Sequence, residues 1–190
     1  MSNRVYLHTI SPFFVLCLVL FVVSTASGYI LSKWLPISIL EMLGEIFGGD
    51  GEVNPLWLLV FIFLNNSVKS LFVILLGVFF GIVPFLFIVL NGLIIGLVVF
   101  EVQQLYGLSF ALVALLPHGV IEIPLVLLSS AIGIRVGYEL VKRLKGVGDV
   151  KGELVKGLRF YAVRIFPLLF LAAVIEVFVT STILFLLFLS

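Results

Sequence analysis

"LSFALVALLPHGVIEIPLVLLSSAIGIR", residues 108–135, holds the reading on which the fold turns. The stretch is apolar enough for a lipid bilayer, yet it contains Pro117, His118, Gly119, Glu122 and Pro124. As one straight helix it would run about 40 Å, against a hydrocarbon core of about 30 Å. The excess predicts a break. A short apolar piece over residues 108–116 re-enters or ends at Pro117-His118-Gly119, and a full span follows over 119–140.

The rest of the chain supports a bilayer as the solvent. Of its residues, 63% are hydrophobic and 11% charged, where a soluble domain has about 45–50% and 25%. No soluble fold of this length could hide that much apolar surface, so the expected class is an all-α integral membrane protein. A formal net charge of +1 argues against a nucleic-acid partner. The single Cys17 lies in an apolar run and reads as a buried thiol, which excludes a disulfide framework. The first apolar run is too long for a signal-peptide core of about 7–15 residues and reads as a retained span over 10–31.

The same length test applies to residues 56–84. A straight helix there would measure about 43 Å. "LWLLVFIFL" (56–64) therefore reads as a second short broken piece before a span over 66–84 ending at Pro84. Spans over 85–104 and 165–188 complete five. The two broken segments stand as a weak internal repeat, a pattern that in transporter-type folds points to a binding site. Residues 32–55 hold Glu41, Glu45, Asp50 and Glu52 against Lys33; within them "ISILEMLGEIF" has helical apolar spacing suited to the membrane surface. Residues 135–164 form a basic loop with Arg135, Lys142, Arg143, Lys145, Lys151, Lys156, Arg159 and Arg164. Lys and Arg collect on the cytoplasmic side. The expected topology is thus a multi-pass cell-membrane protein with a cytoplasmic N-terminus, an extracytoplasmic 32–55 loop and an extracytoplasmic C-terminus.

Depth follows from the 1.5 Å rise per residue. Lys69 falls about 22 Å above Pro84, Glu122 about 20 Å above Arg135, and Glu176 about 18 Å above Arg164. Asn65, Asn66 and His118 lie slightly further out, and Asn91 falls in the inner half. An ionised group at such depth costs about 2.5–3.5 kcal/mol or more, so these residues should face the bundle interior and pair. His118 and Glu122 stand four residues apart, on nearly one helix face. Among the bland alternatives, Lys69 snorkels, Asn65 and Asn66 cap the helix after them, and Asn91 bonds another helix. Gly77 with Gly81, and Gly92 with Gly96, have the spacing that lets helix backbones approach.

His118 and Glu122 are also the candidate metal ligands. A zinc site takes three or four protein ligands, with Glu176 or Glu101 as the third, so the HxxxE pair by itself falls short and no cofactor is expected. There is no GxSxG and no P-loop, and nothing here defines an enzyme. A polar cavity lined by Asn65, Lys69, His118 and Glu122 would suit a transporter or channel.

The segments "FIFLNNSVKSLFVILLGVFFGIVPFLFIVLNGLIIG", "LLPHGVIEIPLVLLSSAIGIRVG" and "RIFPLLFLAAVIEVFVTS" resemble the stage II sporulation protein M family over residues 60–182. Its "NG … PHGxxE … AAxIExFxT" series falls on Asn91, Gly92, Pro117, His118, Gly119, Glu122 and Glu176; Asn65, Gly77 and Gly81 also match. The resemblance implies a membrane scaffold or component of a cell-envelope remodelling complex, working with other membrane or envelope proteins and not as the hydrolase. Assembly with its own copies and the transporter reading both stay open.

Overall fold

Pro55 and Gly81, rather than the polar breaks, set where the helices begin and end. The structure is a computed structural model that describes residues 3–34, 54–184 and 186–187. Helix α1 covers Asn3–Leu31 and α2 Pro55–Leu75, the latter extended by a 3₁₀ turn, Leu76–Val78. Helix α3 is Ile82–Tyr106 and α4 Leu108–Leu144. After a short turn, α5 (Val150–Phe160) runs through a π-helical turn, Tyr161–Ile165, into α6 (Phe166–Val174). A second π turn, Ile175–Thr180, leads to α7 (Ser181–Leu184). Val150–Leu184 therefore acts as one span, and the described residues include five helices long and apolar enough to cross a membrane. The expected all-α, five-span class is the one that forms.

Neither polar break interrupts its helix. Residues 56–64 belong to the unbroken α2, and residues 108–116 to α4, which stays helical through Pro117 and Pro124. The error at α2 lay in its end point. The chain reverses at Phe80 and Gly81, whose φ angles are 55° and 74°. The left-handed conformation suits Gly81 and is unusual for Phe80. Pro84 is thus not the last residue of a long span. It sits in the first turn of α3, where a missing N–H costs nothing. From Pro55 to Leu75, α2 is about 32 Å long, a direct fit to the hydrocarbon core. Asn54 caps it by accepting a bond from the Leu56 N–H at 2.8 Å; Asn65 and Asn66 lie mid-helix instead of capping. At α4 the premise failed differently. The helix has 37 residues, about 55 Å; Gly119–Leu144 is its spanning part and Leu108–Pro117 a shorter apolar stretch joined to it without a break. Proline inside such a helix is tolerated where neighbouring helices hold it. With the breaks goes the internal repeat built on them.

The basic loop also shrinks. Residues 135–144 finish α4 and 150–164 are helical, which leaves only residues 145–149 between them. The surface segment expected at "ISILEMLGEIF" lies outside the described residues.

Helix α4 is the axis. Half of the most apolar 18-residue stretch of Gly119–Leu144 is buried inside the bundle, against 22–28% of the matching stretch in each other span. Every other span packs on it, and α1 runs along α3 for most of its length. One core gathers Ile10, Ile74, Leu125, Ile132, Phe160, Ile165 and Leu169; another gathers Cys17, Phe21, Ile88, Leu127 and Ala131. Large apolar side chains such as Val19, Val22, Phe72 and Phe170 stay exposed, as expected for a surface facing lipid tails.

Small residues permit these contacts. A Cβ at Gly77 would collide with the Gly133 backbone, and one at Gly137 with the Gly81 backbone. Between α1 and α3, a Cβ at Gly96 would meet the Thr25 carbonyl, at Gly92 the Ser24 side chain, and at Gly28 the Leu93 carbonyl. Gly119 is different: the nearest atoms belong to Ile123 and Leu115 of its own helix, at 3.4 and 3.9 Å. Gly77→Val or Gly96→Val should therefore destabilise the purified protein by about 1–3 kcal/mol or more. Gly119→Ala should be neutral or gain about 0.5–1 kcal/mol. Thermal unfolding in detergent would decide, and equal losses at all these sites would contradict the packing described.

Candidate functional site: a charged layer inside the bundle

Three ionisable residues from three spans are linked electrostatically through Glu122. Glu122 lies on the stripe of α4 that faces α2, three helical turns from Gly133. Lys69 lies on α2 and Glu176 at the start of the second π turn. Glu122 is within electrostatic reach of Lys69, and Glu176 within reach of Glu122. Both carboxylates are half-buried, whereas Lys69 is exposed on the outside of the bundle. Lys69 forms no ion pair within 4.0 Å among the described residues.

Local structure explains the grouping. Side chains on a helix lean toward its N-terminus. Helices α2 and α4 run parallel, with Gly77 beside Gly133, so the Lys69 stem climbs toward the level of Glu122. On the fifth span, an extra residue in the π turn carries Glu176; such turns often mark functional positions. The corrected end of α2 also moves Lys69. It stands about 14 Å of helix from Val78 and about 21 Å from Pro55.

The other candidates are placed as follows. Asn65 and Asn66 are half-buried on α2, and the Asn65 amide donates to the Asn66 side-chain oxygen at 3.4 Å. Asn91 stays on α3, where its amide donates to the Phe87 carbonyl one turn back at 2.7 Å. No polar contact among the described residues ties it to the charged layer. Pro117 is half-buried within α4. The side chain of His118 lies outside the described residues, so the HxxxE pairing and the metal set built on it do too. Among the described residues no three His, Cys, Asp or Glu side chains converge. Arg164, a conceivable partner for Glu176 by sequence, makes no ion pair with it.

A second polar centre was not singled out from the sequence. Glu153 of α5 is 2% exposed. Its carboxylate accepts from the Arg135 guanidinium, which also donates to the Thr9 carbonyl. The Tyr6 hydroxyl lies beside it, and Lys156 stands 3.9 Å away. One guanidinium thus ties α1, α4 and α5 together. The sequence signal was present: Glu153 is the acid within the basic stretch whose i+4 and i+7 neighbours, Gly157 and Phe160, form an inward face. A further tie joins the fifth span to α2, where the Tyr161 hydroxyl donates to the Ser67 carbonyl at 2.8 Å.

Five apolar helices that share a group of half-buried carboxylates and a buried ionic clamp define a multi-pass α-helical membrane protein. Residues 17–181 match the family described as Stage II sporulation protein M, and the chain belongs to that family. The match reaches back into α1, further than the motifs alone indicated. No curated protein and no solved structure matches this chain.

Two experiments test this geometry. Arg135→Met should cost about 3–5 kcal/mol by stranding a buried carboxylate, and adding Glu153→Leu should recover much of that loss. A double variant as unstable as the single one would speak against the clamp. Within the layer, Lys69→Met and Glu122→Gln should be non-additive by about 0.5–3 kcal/mol in a double-mutant cycle, whereas Lys69→Met with Asn91→Leu should add.

Proposed function

We propose that this chain is a membrane-embedded assembly component of a cell-envelope complex, with its basic end, and so its N-terminus, in the cytoplasm. The residue 32–55 segment and the C-terminus are then outside. The observation that carries the proposal is Lys69: an ammonium on the lateral surface of the bundle, at mid-depth, with no direct ion pair among the described residues. Hydrocarbon does not tolerate such a group without a partner. Its own carboxylates lie close but behind it, and the open side faces where a neighbouring helix would lie. Family membership supports the reading, because the member working in sporulation acts with partner proteins.

The test places a photo-activated crosslinking side chain at Phe72, which is exposed one turn from Lys69, in the full-length protein in its own membrane. A discrete protein adduct is expected, and it should be lost on Lys69→Met while the protein remains folded. An adduct at twice the chain's mass would identify a second copy as the partner. Crosslinks to lipid alone, or solute flux through liposomes containing only this chain, would overturn the assembly reading.

A further inference from the structure

The fifth span is too long for the membrane it crosses. Val150–Leu184 has 35 residues, about 52 Å of helix against a core of about 30 Å. Between Phe166 and Leu184 the only charge is Glu176, and Phe166, Phe170 and Phe178 are exposed there. The hydrocarbon therefore takes the C-terminal part. The excess projects at the other end, beginning near Arg164, the first cation before the apolar run that starts at Ile165. Arg159 lies about 8 Å further along, within the headgroup region.

The two arginines are exposed, and neither enters an ion pair among the described residues. The acids nearest in sequence are already engaged. Glu153 is held by Arg135, Glu139 by Lys142, and Asp149 caps α5 through the Gly152 N–H. The backbone then sets the directions. In an unbroken α-helix, residues five apart point about 140° away from each other. The π turn Tyr161–Ile165 fits an extra residue into the turn, so each residue advances by a smaller angle. Arg164 swings back toward the side of Arg159. Exposed Val163 and Phe166 lie beside them, giving the pair an apolar border on its membrane side.

We propose that Arg159 and Arg164 bind the phosphate of an anionic phospholipid at the basic end of the bundle. A guanidinium offers paired donors that fit phosphate oxygens. The bordering apolar residues leave room for acyl chains, which a free anion would not use. The π turn then has a role that neither helix packing nor the charged layer supplies: it aligns two cations at headgroup depth.

The proposal is tested with the full-length chain in detergent, incubated with phosphatidylglycerol or phosphatidylcholine and examined by native mass spectrometry. Phosphatidylglycerol adducts should exceed phosphatidylcholine adducts. The preference should fall roughly fivefold for each cation removed in Arg159→Gln and Arg164→Gln. Lys33→Gln, at the opposite end of α1, should leave it unchanged. Arg159→Lys with Arg164→Lys keeps the charge and loses the paired donors, so retention should be intermediate; this variant decides the matter if the glutamine pair fails to fold. Equal retention of the two lipids, wild-type retention in the lysine pair, or a loss in Lys33→Gln as large as in the arginine variants would each overturn the assignment. Displacement of phosphatidylglycerol by an equal concentration of inorganic phosphate would overturn the lipid as the source.

Discussion

Apolar side chains gain nothing by leaving lipid for one another, so the bundle depends on how closely helix backbones can approach. That constraint is met along α4. Gly133 and Gly137 lie where Gly77 and the Gly81 turn press against them, and a Cβ at any of these four positions would meet backbone. The α1–α3 pair repeats the device with Gly28, Gly92 and Gly96. Once these approaches are set, the large side chains fill the two cores or turn outward, and the surface remains as apolar as the interior.

Two charged groupings sit on this frame with different consequences. Arg135 and Glu153 are close, largely buried and mutually satisfied, and with the Thr9 carbonyl they close the basic end of the bundle. Lys69, Glu122 and Glu176 are near each other but not sealed, and Lys69 faces outward. A finished ion pair holds helices in place. An unfinished one at the bundle surface leaves a need that another molecule can meet.

That Glu122 would lie within reach of Lys69 and of Glu176 was legible because rise per residue is a property of the backbone. The depth of Lys69 was off, however. Pro84 reads as an end by hydropathy and is a beginning in the structure, because hydropathy does not change across the Phe80–Gly81 reversal. The two supposed breaks failed for a related reason. Length excess says that something must give, and "PHG" in α4 supplied a place for it, but the helix runs on through that point. Glu153 escaped notice because an acid among bases reads as a solvated face until a neighbouring helix covers it.

The sequence by itself determined the solvent, the helical class, the number of spans and the family. Each of these follows from composition, run length or residues adjacent along the chain. Only the tertiary structure decided that α4 is the axis, that Gly77 meets Gly133, that Arg135 serves Glu153 across the residue 145–149 turn, and that π turns redirect Arg164 and carry Glu176. Those features depend on which faces meet. In a chain apolar on nearly every face, hydropathy does not distinguish the face that meets a helix from the face that meets lipid; the small and charged side chains do, once they find their counterparts.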